Sequence, residues 1–89
     1  MISLLNGDAV SFPKTDKEWS ERTARYVKAQ LKRHDLTYDD LAARLVPLGF
    51  EKETRASIAN KLSRGTFPAP FLLAAMAAIE EGTIKLDDI

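Results

Sequence analysis

Between Leu36 and Phe67 the chain spells two helices, each too short to persist alone in water: L-T-Y-D-D-L-A-A-R-L, a break containing glycine, then S-I-A-N-K-L-S-R-G-T-F. Isolated helices under about 12–15 residues are marginal, so the pair must pack against flanking helices. Thr37 and Asp40 carry a cap signature that opens the first of the two, and Leu41, Ala42 and Leu45 form its buried side. Pro47 disfavours helical geometry at Val46, and Gly49 readily takes the left-handed conformation that ends a helix. The second short helix is expected from around Glu53, without a strong cap, to about Ser63. Ile58 and Leu62 anchor it, Arg55 and Ala59 lie at the edges of that buried face, and Gly65 terminates it. Its outer face carries Ser57, Asn60, Lys61 and Arg64.

The flanks supply the partners. Thr15 and Glu18 have the spacing of a capping box, so a longer helix is expected to start there and fade near His34. Trp19, Thr23, Tyr26, Val27, Gln30 and Leu31 recur at helical spacing as its buried face, with Glu21, Arg25, Lys28 and Lys32 opposite. After the second short helix, Thr66-Phe67-Pro68-Ala69-Pro70 reads as a rigid connector in which either proline can be the first residue of a fourth helix. From Phe71 to Ile79 that helix is apolar on every side, which implies burial on more than one face, either centrally or against a second subunit. Thr83 to Leu86 alternates as a strand would, and could pair with Ile2 to Leu5 or with a symmetry mate. Asn6-Gly7-Asp8 and Pro13 mark a turn in an extended arm. The expected organisation is an arm over 1–14, a helical domain over 15–82, and a short strand or tail over 83–89.

At 89 residues the chain has room for one domain. The absence of Cys excludes disulfides and thiolate metal sites and suits a reducing cytoplasm. The early I-S-L-L lacks the length and basic flank of a signal peptide, and the run from Phe71 to Ile79 is too short to cross a bilayer. A cytoplasmic protein without membrane association is expected. Net charge is zero, yet Lys14 to Gly65 holds twelve Lys/Arg against eight Asp/Glu, while the stretch from Glu80 holds four acids against Lys85. The middle is therefore basic and the tail acidic. Catalysis finds little support, because His34 is the sole histidine and Asp39-Asp40 and Glu80-Glu81 are adjacent pairs whose side chains diverge on a helix. No glycine-rich phosphate loop is present. A non-enzyme with no cofactor, metal or small-molecule substrate is expected.

The order of a basic first helix, L-T-Y-D-D-L-A-A-R-L, a turn, S-I-A-N-K-L-S-R-G, a proline-rich connector and an apolar helix resembles the lambda-repressor-like helix-turn-helix domains. In that resemblance Leu41-Ala42 takes the place of the usual Leu-Ala of the first motif helix, and Arg64-Gly65 with Pro68 matches the end of the recognition helix and its connector. More closely, W-x-x-R-x-x-x-Y-V-K-A-x-L-K-R and I-A-N-K-L-S-R-G-T-F resemble a small bacterial domain family of unknown function, over about Trp19 to Leu86. One departure stands out. The helix-turn-helix family joins its two motif helices by a turn of about three or four residues, whereas Ala42 and the anchoring Ile58 here are sixteen apart. The connector is longer, enough to lengthen the first motif helix by a turn and tilt the second.

The resemblance implies an all-α, compact four-helix domain of the lambda-repressor-like helix-turn-helix kind, with a short terminal strand pair as an optional addition. It implies a DNA-binding transcriptional regulator whose helix over 53–63 reads double-stranded DNA. Arg55, Ser57, Asn60, Lys61 and Arg64 are the candidate contacts there, with Arg25 and Lys28 on the first helix as phosphate contacts. Arg22 and Arg33 add charge to that stripe. The competing reading is a protein-protein interaction module on the same scaffold. A continuous positive band joining the second short helix to Arg25 and Lys28 favours DNA, and its interruption by acids favours a protein partner. A homodimer is expected, with Leu73, Met76 and Ile84 at its interface, because the fourth helix has more apolar surface than one small core can hide.

Overall fold

Three of the four helices start where a short polar side chain takes up a backbone N–H that the first turn leaves without a partner. In the computed structural model, which describes residues 12–89, α1 spans Asp16–Arg33 and α2 spans Tyr38–Leu45. The third helix, α3, spans Arg55–Arg64, and α4 spans Ala69–Ile79. Thr15 Oγ1 accepts from Glu18 N at 3.1 Å, while the Glu18 carboxylate accepts from Lys14 N at 2.9 Å, one residue further back than a capping box would place it. At α2 the box is complete: Asp40 N donates to Thr37 Oγ1 at 3.0 Å and Thr37 N donates to Asp40 Oδ2 at 2.9 Å.

The start of α3 corrects the sequence reading. It lies at Arg55 rather than Glu53 and it is well capped, because Thr54 and Ser57 bond reciprocally at 3.1 and 2.8 Å. A serine hydroxyl does the work that a Glu or Gln carboxylate or amide usually does. The two prolines flank the first residue of α4 instead of supplying it, with Pro68 as N-cap and Pro70 one place beyond Ala69. The extra length between α2 and α3 is spent on a 3-10 turn, Val46–Leu48, closed by Gly49 at φ 96°, and not on a further turn of α2.

The helices meet around Val27, Leu31, Leu41, Leu45, Ile58, Leu62, Phe71, Ala75, Met76 and Ile79, all essentially removed from solvent. All four helices contribute, so the short α2 and α3 gain through packing what their length denies them. Gly65 shows how close the packing is. It ends α3 at φ 69°, and a Cβ there would stand 2.2 Å from the Ser20 carbonyl oxygen of α1. Arg44 ties α2 to the end of α4 by donating to Ala78 O at 3.0 Å.

Further expectations are corrected. Trp19 is 39% exposed, because it sits in the first turn of α1, where it stacks near Phe12 at 6.0 Å instead of entering the core. The fourth helix is buried on one side only: Met76 is interior at 3% exposure, whereas Leu73 faces outward at 64%. Met76 therefore belongs to this chain's own core and is not open to a second copy. Thr83 to Leu86 is not a strand. That stretch is irregular until the 3-10 turn Leu86–Asp88, and its Lys85 N–H is taken by the Tyr26 hydroxyl at 3.3 Å where a strand would have offered it to a neighbour. Arg22 follows the same tail, donating to Ile89 O at 3.2 Å, which turns it away from the basic stripe. The possible strand at Ile2 to Leu5 and most of the arm lie outside the described residues. All four helices and no strand are found among those described, and no single helix there is long and apolar enough to cross a membrane.

Candidate nucleic-acid interface

The sequence of α3 contains no acid, and its ten residues divide into three strips. Ile58 and Leu62 point into the core. Ser57 and Lys61, four residues apart and therefore one above the other, turn toward the connector from α2. Ala56, Asn60, Ser63 and Arg64 face solvent, with Arg55 exposed at the helix start.

The middle strip is committed to the fold. Lys61 Nζ lies 3.1 and 3.0 Å from the two carboxylate oxygens of Glu53, and Ser57 Oγ donates to Glu53 Oε1 at 2.7 Å. The pair is mostly covered, with side-chain exposures of 24% for Lys61 and 13% for Glu53. The ammonium also sits 5.2 Å from the centre of the Phe71 ring, a cation–π position. Phe71 in turn meets Phe50 and Phe67 edge-on, with centroids 6.1 and 5.3 Å away, so connector, α3 and α4 are joined at one point. Phe67, partly buried against the core, holds the proline-rich connector in place.

The outer strip is open. Among the described residues no side-chain hydrogen bond or ion pair engages Arg55, Asn60 or Arg64. A shallow cleft beside Arg64 is lined by Asp16, Lys17, Ser20, Glu21, Ser63 and Thr66. On α1, Lys17, Glu21 and Lys28 share the edge that flanks α3, since seven residues separate the last two; Arg25 lies further round toward open solvent. Lys28 and Lys32 border a second cleft with Leu36, Thr37 and Tyr38, where α1 hands over to α2. The positive charges on this side are interleaved with Asp16, Glu21 and Asp35, so the band joining α3 to Lys28 and Arg25 is broken by acids.

Two carboxylates away from α3 are held below their ordinary range. For Asp40 the cause is the pair of hydrogen bonds with Thr37, its backbone N–H first and its hydroxyl second. For Glu81 it is the hydrogen bond from His34, whose Nε2 lies 2.7 Å from Glu81 Oε1. That contact joins the end of α1 to the residue after the α4 cap, and gives His34 a structural occupation.

Of the residues singled out in the sequence, α3 therefore brings Asn60 and Arg64 to one accessible face, leaves Arg55 exposed at the helix start on a different side, and withdraws Ser57 and Lys61 from that face. Leu73 and Ile84 are exposed, at 64% and 38%, but Met76 is not. Glu53 was missed as a partner. The available signal was an acid directly ahead of a hydroxyl cap, four residues before Ser57 and eight before Lys61.

No curated protein and no solved structure matches the chain. A family model does match, over residues 19–84, which runs from the first turn of α1 to the stretch beyond α4 and takes in all four helices. The chain belongs to the family described as Domain of unknown function (DUF6471).

Proposed function

We propose that this protein is a helix-turn-helix DNA-binding regulator of the lambda-repressor-like kind, in which α3 enters the major groove with Arg55, Asn60 and Arg64 as its contacts. The observation that carries the reading is the outer strip of α3: an acid-free helix whose exposed face offers the Arg64 guanidinium and the Asn60 carboxamide, with Arg55 open at the helix start. Arginine suits the two acceptors of guanine, and asparagine can pair bidentately with adenine. Lys28 and Arg25 act as phosphate contacts, which position a protein without reading sequence. With Lys61 neutralised by Glu53 and a net charge of zero, affinity for unselected DNA is low and sequence preference depends on few side chains.

A ten-residue helix covers one half-site, so the reading includes a homodimer. The exposed Leu73, with Ala69 and Ala77 one turn to either side, and Ile84 are the surface for it. Sedimentation at rising concentration, with Leu73→Glu as the control, tests that part; a monodisperse monomer at high micromolar concentration removes it.

The positive band from α3 to Lys28 and Arg25 is interrupted by acids, which counts against DNA and for a second reading, an interaction module for a protein partner that does without a continuous positive field. The DNA reading rests on the outer strip of α3 alone. Selection from a random duplex library, followed by titration at two salt concentrations, separates the two. The DNA reading expects an enriched sequence and affinity that falls steeply as salt rises. No enrichment and no salt-sensitive binding by the folded protein leaves the interaction module.

A further inference from the structure

We propose that Glu53 is a built-in counter-charge that withdraws Lys61 from the phosphate-facing side of α3 and so holds down the protein's affinity for duplexes of any sequence. The inference rests on the DNA reading above. The bidentate pair at 3.0 and 3.1 Å, completed by the Ser57 hydroxyl at 2.7 Å, holds both charges within one short dipole. A phosphate approaching α3 from solvent meets that dipole rather than a free ammonium, and a dipole's field falls off faster than a charge's. Coverage by Phe71 at 5.2 Å keeps Lys61 from swinging outward without losing the ring as well as the carboxylate.

Stability alone accounts poorly for the arrangement. Well-packed apolar residues commonly replace a buried ion pair with no loss of stability, so the pair is weak evidence of a need for strength at this point. Its electrostatic consequence is specific: the one lysine of α3 is silenced, while Arg55 and Arg64 at either end of the helix are left open.

The test compares the full-length protein with Glu53→Gln and with the doubly neutral Glu53→Gln/Lys61→Met on a mixed-sequence duplex, each over a salt series, with thermal melting to confirm folding. The double variant is expected to bind within about two-fold of the unmodified protein with the same salt slope, because the pair adds no net charge. Glu53→Gln is expected to bind several-fold tighter, with the slope steeper by about 0.9, the increment for one more neutralised phosphate. A purely structural pair would leave the slope of Glu53→Gln unchanged, and that result overturns the inference while the DNA reading stands. So does a double variant whose slope is shallower by about 0.9, since Lys61 would then already be a phosphate contact. If none of the three proteins binds duplex in a salt-sensitive way, the DNA reading fails and the inference falls with it.

Discussion

The two polar strips of α3 have nearly the same composition and opposite employment. Ser57 and Lys61 face the connector and are bound by Glu53 and Thr54, whereas Asn60 and Arg64, three residues further along in each case, face solvent. Residue type alone would have given both strips the same role. The difference comes from the long connector: it places Thr54 as a cap and Glu53 as a counter-ion on one side only, so that side becomes part of the fold and the other is left open to solvent. Substitutions on the committed side should cost stability, and those on the open side should cost binding.

The largest effect is expected where α3 ends against α1. Gly65→Ala forces a side chain into a left-handed conformation, about 1–2 kcal/mol, and into the Ser20 carbonyl oxygen, which adds an overpacking cost of about 1–3 kcal/mol. Chemical denaturation should show a loss of about 3 kcal/mol or more. Gly49→Ala meets nothing within 4 Å despite φ 96°, so it should show only the first of those costs. Equal losses at the two glycines would mean that α3 does not lie as close to α1 as described.

Within the committed strip, Lys61→Met leaves the Glu53 carboxylate covered and without its cation. The loss should fall between the ~1 kcal/mol ceiling of exposed pairs and the ~3–5 kcal/mol of fully buried ones. Removing the cap with Thr54→Ala should cost about 1 kcal/mol. On the open strip, Asn60→Ala and Arg64→Ala should move stability by about 0.5 kcal/mol or less. Their effect appears in duplex titration instead, as a loss of about 1–3 kcal/mol of discrimination at one base position. A destabilising Asn60→Ala would dissolve the contrast between the strips.

The smallest expected effect is a pH dependence of stability. Asp40 and Glu81 both have folded-state pKa values below the ordinary carboxylate range, so each binds its proton less readily when folded. Their contribution is complete above that range and is lost as pH falls through the lowered values. Denaturation at a series of pH values below about 5 should show the decline, and Asp40→Ala should flatten part of it.

The caps and stops were legible because their signals are local. Thr37 with Asp40 and Gly65 each act within one turn, and the structure places both as read, whereas Val46 keeps helical geometry at φ -55° and ψ -53° despite Pro47, and Gly49 closes the 3-10 turn beyond α2 instead of α2 itself. Thr54 with Ser57 escaped because serine is a weaker sign of a reciprocal cap than an acid. The faces of α4 could not be read at all: with apolar residues on every side, spacing marks no inner stripe, and Met76 inside and Leu73 outside are set by how α2 lies across the helix. Trp19 was misplaced for a related reason, since helical spacing identifies a face but not where along the helix the core stops. The alternation at Thr83 to Leu86 is too short to specify a strand without an edge to join, and the Tyr26 hydroxyl claims its backbone instead. Of the candidate contacts, spacing grouped Asn60 with Arg64 correctly, but only the placement of Glu53 shows that Lys61 does not belong with them.

Chemical-shift mapping of the isotope-labelled protein with a mixed-sequence duplex at low salt tests the division of α3 most directly. The account predicts amide and side-chain shifts at Arg55, Ala56, Asn60, Ser63, Arg64 and Lys28, weakening as salt is added, with Lys61 and the exposed Leu73 of α4 little moved. Shifts confined to α4 and the tail, or none at all from a folded protein, would contradict it.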